Sequence, residues 1–214
     1  MTRPQATCPN CGARVEFRWS SAVQTVCPFC HSILVRHDVD LERVGTVADL
    51  PPSSSPIQLG TGGRYHQRAF EVVGRIIYEW EQGGWNEWHV VFNDSTSGWL
   101  SDAQAEYAVS CLAADSLARP PEANAALGRH FTWQGKDYQV TTVTHARYRG
   151  VEGDLPFEYW DKADVVFVDL KSDDGGFATL DYSEESPLLF LGEFVEFRDL
   201  ALTNLRQFDG WSTR

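Results

Sequence analysis

The runs F-E-V-V-G-R-I-I-Y at residues 70–78 and E-W-H-V-V-F at 87–92, separated by Q-G-G at 82–84, decide the architecture of this chain. Both are crowded with β-branched and aromatic side chains, which suit a pleated, half-buried surface, and the glycines between them supply a turn. They predict a hairpin. N-D-S-T-S-G at 93–98 is a second turn cluster leading into Trp99 and Leu100, so the hairpin grows into a three-stranded meander. Downstream, residues 138–143, 145–149, 165–170, 177–182 and 188–197 are short runs set apart by Gly, Asp and Pro clusters, at spacings typical of sandwiches and barrels. Residues 101–119 fit two patterns, a helix capped by Ser101 and an alternating strand around Tyr107 and Val109; Pro120 and Pro121 end either one.

Two segments of this β region resemble each other. V-V-F at 90–92 precedes G-W-L at 98–100, and V-V-F at 165–167 precedes G-F-A at 176–178. Such a match points toward duplication of a small β-unit. The expected fold is mainly β, with an N-terminal zinc ribbon over residues 1–38, a linker and lead-in over 39–63, and a β-barrel or sandwich domain over 64–214. That domain is either one unit or a duplicated SH3-like unit with related halves at 64–119 and 128–205. In the linker, P-P-S-S-S-P at 51–56 interrupts regular structure. G-T-G-G at 60–63 lacks the Lys-Ser/Thr of a phosphate-binding loop and reads as a flexible turn.

The ribbon rests on C-P-N-C at 8–11 and C-P-F-C at 27–30, a C-x2-C-x15-C-x2-C pattern. This spacing predicts one structural Zn2+ held by Cys8, Cys11, Cys27 and Cys30. Pro9 and Pro28 fix φ inside the two turns, and Gly12 is free to take positive φ after the first. Four thiolates close the coordination shell and leave no position for a reacting water, so the ion is a scaffold. His31 is a weaker alternative ligand. Disulfides suit secreted chains, and the first six residues carry no apolar run of the signal-peptide kind.

Composition narrows the function classes. Hydrophobic residues make up 43% of the 214, with eight Trp, enough for a packed core. No apolar run approaches the roughly 20 residues of a membrane helix. A soluble, cytoplasmic protein is expected. Net charge is −12, yet residues 1–37 carry Arg3, Arg14, Arg18 and Arg36 against Glu16, so the ribbon is +3 and the remainder −15. An acidic body disfavours nucleic acid as a partner.

Catalytic motifs are missing. The adjacent or near-adjacent acids Glu79 and Glu81, Asp161 and Asp164, Asp173 and Asp174, and Glu184 and Glu185 read as solvated loop charges, and His66, His89, His130 and His145 show no metal spacing. Cys111 reads as a small hydrophobe. Trp80, Trp85, Trp88 and Trp99 read mainly as core, with an exposed platform as the alternative.

Residues V-G-T-V-A-D-L (44–50), S-P-I-Q-L-G-T (55–61), F-E-V-V-G-R (70–75), W-N-E-W (85–88), G-W-L (98–100), G-D-L-P (153–156) and F-A-T-L-D-Y (177–182) resemble the bacterial domain of unknown function family 4178 over about residues 44–205. Members of that family tend to be encoded beside phage-shock-protein-A-like membrane-remodelling proteins, flotillin-like proteins and polyamine-synthesis enzymes. The resemblance therefore implies a non-enzymatic adaptor in an envelope-stress or membrane-maintenance complex, peripheral to the inner membrane through its protein partners. It supplies no catalytic residues. The alternative is a small-molecule binder or hydrolase with a pocket among Glu87, Trp88, His89 and the loop at Gly153 and Asp154.

Overall fold

Strands carry the regular structure. In the computed structural model, which describes residues 3–37, 40–47, 50, 55–158 and 164–207, the only helical elements among the described residues are two 3-10 turns, Glu122–Asn124 and Phe197–Leu200. β1 (Gln5–Thr7) and β2 (Arg14–Glu16) form a small ladder, and β3 (Gln24–Val26), β4 (Ser32–His37) and β5 (Asp40–Thr46) form a three-stranded sheet. β5 lies in the stretch expected to lead out of the ribbon. Instead it folds back along β4, from His37↔Asp40 to Ser32↔Thr46, because Leu41 and Val44 have apolar surface to cover. The P-P-S-S run at 51–54 is outside the described residues.

The remaining strands are β6 (Gly62–Tyr65), β7 (Arg68–Trp80), β8 (Gly83–Phe92), β9 (Ser97–Ala103), β10 (Glu106–Leu112), β11 (His130–Trp133), β12 (Lys136–Gly153), β13 (Val165–Lys171), β14 (Gly176–Asp181) and β15 (Leu188–Val195). Two antiparallel meanders, β7-β8-β9-β10 and β12-β13-β14-β15, meet at both edges. β10 pairs β15 on one side and β7 pairs β12 on the other, which closes an eight-stranded barrel. Closure removes the sheet edges that a sandwich would have to protect. The expected barrel is present, but the halves share one ring, and neither closes on itself as an SH3-like unit would. Each half also begins with a short outer hairpin, β6-β7 or β11-β12, joined by a two-residue turn.

The V-V-F matches sit on corresponding hairpins, β8-β9 and β13-β14, but at different registers. Val90, Val91 and Phe92 end β8, whereas Val165, Val166 and Phe167 begin β13. The correspondence lies in strand order, which those letters do not track.

β12 is the seam. Residues 138–143 and 145–149, expected as two strands, are one strand of 18 residues that changes partner midway. Gln139 to Ala146 pair with β13, Arg147 to Gly153 pair with β7, and irregularities between Val140 and Thr142 and between Tyr148 and Gly150 let the strand curl. Arg75, buried on β7, donates from Nη1 to Glu152 at 2.8 Å across this seam.

Both outer faces of the wall are covered. Val72, Val90, Leu100 and Val109 pack beneath Ile57 and Leu200, while Val168, Leu170, Leu180 and Leu189 pack beneath Ala113, Ala125 and Trp133. A fully buried aliphatic side chain contributes about 1.5–3 kcal/mol relative to exposure. These outward residues therefore hold the wall together, and the inward face is left to more polar residues. A third cluster joins ribbon and barrel: Ile33 of β4 packs with Ile76, Ala146, Val151 and Leu155. Among the described residues, no helix is long and apolar enough to cross a membrane.

Candidate functional site

Two tight turns build the cysteine centre. In the first, Gly12 N–H donates to Cys8 O at 2.9 Å; in the second, His31 N–H donates to Cys27 O at 3.0 Å. Gly12 and His31 occupy matching left-handed positions, with φ of 75° and 57°. His31 is thus a turn residue, exposed to solvent. The Sγ atoms of Cys8, Cys11, Cys27 and Cys30 lie within 4.8 Å of one another, with Cys8–Cys30 at 3.7 Å and Cys11–Cys27 at 3.8 Å. Four sulfurs around one ion at metal–sulfur bonds of about 2.3 Å define a tetrahedron with edges of about 3.8 Å. The donor set fits a tetrahedral thiolate-bound ion.

Asp154 fastens this ribbon to the barrel. Its carboxylate, 1% exposed, accepts from Thr25 Oγ1 at 2.6 Å and from the Trp19 backbone N–H at 2.9 Å, while its own N–H donates to Val73 O. β3 reinforces the joint through Gln24↔Leu155, with Leu155 N–H donating to Gln24 O at 2.9 Å. Below it, His89 is fully buried between Trp19 and Trp99, with ring centroids at 5.1 and 5.2 Å. Its Nδ1–H donates to the Asp154 carbonyl at 2.9 Å, and burial pushes its pKa down to about 4. The ring is neutral, and its Nε2 is a buried acceptor with no hydrogen-bond partner among the described residues.

Inside the ring lies a cavity of about 520 Å³. Tyr78 of β7, Trp85 of β8, Trp99 of β9, Phe167 of β13 and Phe190 of β15 line it, with Phe157 beyond β12. Tyr78 stacks on Trp85 at 5.0 Å, and both meet Phe167 edge-on. Among these rings point three carboxylates: Glu87 of β8, Asp169 of β13 and Asp181 of β14. Glu87 accepts from Trp85 Nε1 at 2.9 Å on one oxygen and from Ser101 Oγ at 2.8 Å on the other. Burial, with smaller contributions from Asp169 and Asp181, pushes the Glu87 pKa up to about 8. Burial likewise pushes Asp169 up to about 6. The surface that these two acids expose faces the cavity, so they are deep in the protein and still reachable by a small molecule.

Residues 58–197 match the family model described as a domain of unknown function, DUF4178. The chain belongs to this family. No curated protein and no solved structure matches the chain. The DUF4178 match spans β6 to β15, so every residue lining the cavity falls inside it, whereas the four cysteines lie before it.

The pocket expected among Glu87, Trp88, His89, Gly153 and Asp154 divides into three places. Glu87 lines the cavity; Trp88 faces outward beneath Arg75, whose guanidinium lies 4.7 Å from its ring; His89 and Asp154 are consumed in the ribbon joint. Alternation along β8 separates Glu87 from Trp88. The tryptophans also divide. Trp88 and Trp99 are buried, Trp80 and Trp85 are half-buried at the cavity, and none of the four belongs to an exposed platform. Glu79, Glu81, Asp164, Asp173, Asp174, Glu184 and Glu185 are exposed, and Asp161 is outside the described residues. Cys111 is half-buried on β10, and His66 and His130 pair with Glu193 and Asp137. Sequence reasoning missed Asp169 and Asp181. Their signal was an acid at an inward position of an otherwise apolar strand, V-V-F-V-D-L and F-A-T-L-D.

Proposed function

We propose that this DUF4178 protein is a non-catalytic binding protein whose barrel cavity takes a small molecule. One observation carries the reading: an interior space of about 520 Å³ in which aromatic rings alternate with oriented carboxylates, instead of the close-packed aliphatic side chains that fill a purely structural barrel. The ribbon holds one structural Zn2+ through Cys8, Cys11, Cys27 and Cys30, and it closes the end of the barrel at Trp19 and His89. The edge lengths of the sulfur tetrahedron support this assignment. A thermal-shift and native mass spectrometry screen over cationic, neutral and anionic compounds of drug size or smaller tests the cavity reading. At least one class binds one to one, and Ala103→Trp, at the half-buried rim, abolishes that binding. A screen in which no class binds, or in which the blocked variant binds equally well, overturns it.

A second reading is favoured by Phe29. This side chain is 68% exposed at the tip of the second cysteine turn, where an aromatic serves as an anchor for another protein. Here the ribbon docks the protein onto a membrane-associated partner of remodelling or flotillin-like type, as an adaptor in a bacterial envelope-stress system, at the cytoplasmic face of the membrane. Crosslinking in the native host tests it: Phe29→Ser loses the captured partner, and equal capture by wild type and variant overturns it.

A further inference from the structure

We infer that the cavity ligand is an uncharged, flat aromatic molecule of the fused-ring type, taken up among the rings of Tyr78, Trp85, Phe167, Trp99 and Phe157. This rests on reading the cavity as a binding site and adds the chemical class of what fills it.

The lining is specialised for rings. Ten aromatic side chains line the cavity, from β7, β8, β9, β10, β13, β14, β15 and the loop at Phe157, whereas Ile76 is the only branched aliphatic residue among the described lining. Alternation sends the branched aliphatic side chains of the same strands outward, as at Val90, Leu100, Val109 and Val168. Aliphatic walls would suit an aliphatic guest by burial alone. Rings add a preference, because offset-stacked and edge-to-face contacts between aromatic groups contribute beyond the area they bury.

These rings are also held in a fixed arrangement. Tyr78 and Trp85 stack at 5.0 Å with 23° between their planes, and Phe167 meets them edge-on at 4.9 and 5.5 Å. Trp99 and Phe157 stack at 5.8 Å and 30°. Trp85 is tied further by its Nε1–H to Glu87, and Trp99 by the buried His89 ring at 5.2 Å. Aromatic side chains have few rotatable bonds, and ones already packed lose little freedom when a guest arrives. Stiff walls of this kind fit a rigid, planar guest better than a flexible chain.

Charge favours a neutral guest. Lys171 Nζ lies 3.2 Å from Glu106 Oε1 and 4.2 Å from the Phe194 ring centroid, and its charge also acts on Asp169. Asp169 is bonded to the Thr179 side chain, and Asp181 accepts from the Ser183 backbone N–H at 2.7 Å. Glu87, raised to about 8 by burial, keeps its proton at neutral pH and offers polarity without charge. The ionisable groups of the interior are thus engaged with one another or with the chain. A charged guest would surrender its hydration with no countercharge reserved for it, whereas a neutral ring system surrenders little.

The test is isothermal titration at pH 7.0 with four probes built on one skeleton: 2-naphthol, its saturated counterpart decahydro-2-naphthol, 2-naphthoate and 2-naphthylmethylammonium. 2-Naphthol binds one to one. Decahydro-2-naphthol binds at least about tenfold more weakly, the factor expected for two lost ring contacts. Both ions bind more weakly than 2-naphthol. Trp85→Leu lowers the affinity for 2-naphthol by about fivefold and leaves that for the saturated probe within about twofold, which a general loss of packing would not do. Phe167→Leu provides a second variant with the same expected pattern, should the first not fold. Decahydro-2-naphthol binding as tightly as 2-naphthol, and blocked by Ala103→Trp, overturns the aromatic assignment and leaves the cavity reading standing. Tightest binding by either ion overturns the neutral assignment. No binding by any of the four overturns the aromatic assignment alone, while the broader screen decides the cavity.

Discussion

At the scale of single residues, the fold depends on a few positions where chemistry leaves no substitute. Gly74 is one. A Cβ there would lie 2.0 Å from the Asp154 carbonyl oxygen, so the backbone joining ribbon to barrel passes only over a glycine. Gly74→Ala is expected to shift that joint and prevent soluble expression, checked against Gly128→Ala, where no atom lies within 4 Å of the new Cβ and only the positive φ is strained. Asp154 is the complementary case. Asp154→Ala strands the Trp19 N–H and the Thr25 hydroxyl in a buried site, and urea denaturation should show a loss of about 2–4 kcal/mol. Glu87 sets a pH dependence of stability. Its pKa is raised from 4.5 to about 8, so the folded state holds a proton that the unfolded chain has lost, and stability declines as pH rises through that window. His89, lowered from 6.5 to about 4, acts oppositely and loses stability as pH falls from 6.5 toward 4. Above pH 6.5 the Glu87 effect stands apart from it, and a melting-temperature series should show that Glu87→Gln flattens the decline. Glu87, His89 and Asp154 were picked out in sequence as one pocket, but their separate settings were not legible, because an acid or histidine inside a strand reads the same whether the strand faces solvent, core or cavity.

Among elements, legibility followed the turn chemistry. β7, β8, β13 and β14 were readable because β-branched runs ended at Gly or Asp clusters. The start of β9 was readable at Trp99 and Leu100, but its end and β10 stayed open between helix and strand, because their connecting turn is Gln104-Ala105, with φ of 52° and 67°, and it carries none of the Asn-Gly signal that such a pair of left-handed residues favours. The Ala-rich composition then suggested a helix. Replacing Gln104 by Asn and Ala105 by Gly should relieve that backbone and raise stability by about 1 kcal/mol, measurable as a shift in the urea midpoint with unchanged slope. β12 escaped for a different reason: periodicity cannot reveal that one strand serves two neighbours in succession. β6 was hidden by Gly62 and Gly63, which read as a flexible turn. A Cβ at Gly63 would meet the Phe70 ring at 2.3 Å, so close packing on β7 is what requires glycine there.

For the whole molecule, the ribbon and barrel behave as one body, since Ile33, Trp19 and Gln24 all pack or bond to barrel residues. Stripping the metal proposed at the four cysteines with a chelator should therefore expose more than the ribbon. Hydrogen exchange is expected to rise first over residues 5–37 and then at 151–155, with β8 and β14 protected longest; uniform loss across the chain would mean that the barrel cannot stand without the ion. The cysteine spacing made the ribbon readable from sequence, but its docking on the barrel was not, because that depends on a contact across more than 100 residues, Trp19 to Asp154. The shared ring has a last consequence. Its two meanders are joined in sequence only through residues 113–129, yet they are stitched along two ladders, β10-β15 and β7-β12. Cutting the chain there converts an intramolecular barrel into a heterodimer whose interface is two strand seams, so the protein is a natural candidate for fragment complementation, with assembly itself reporting on whether the cavity is filled.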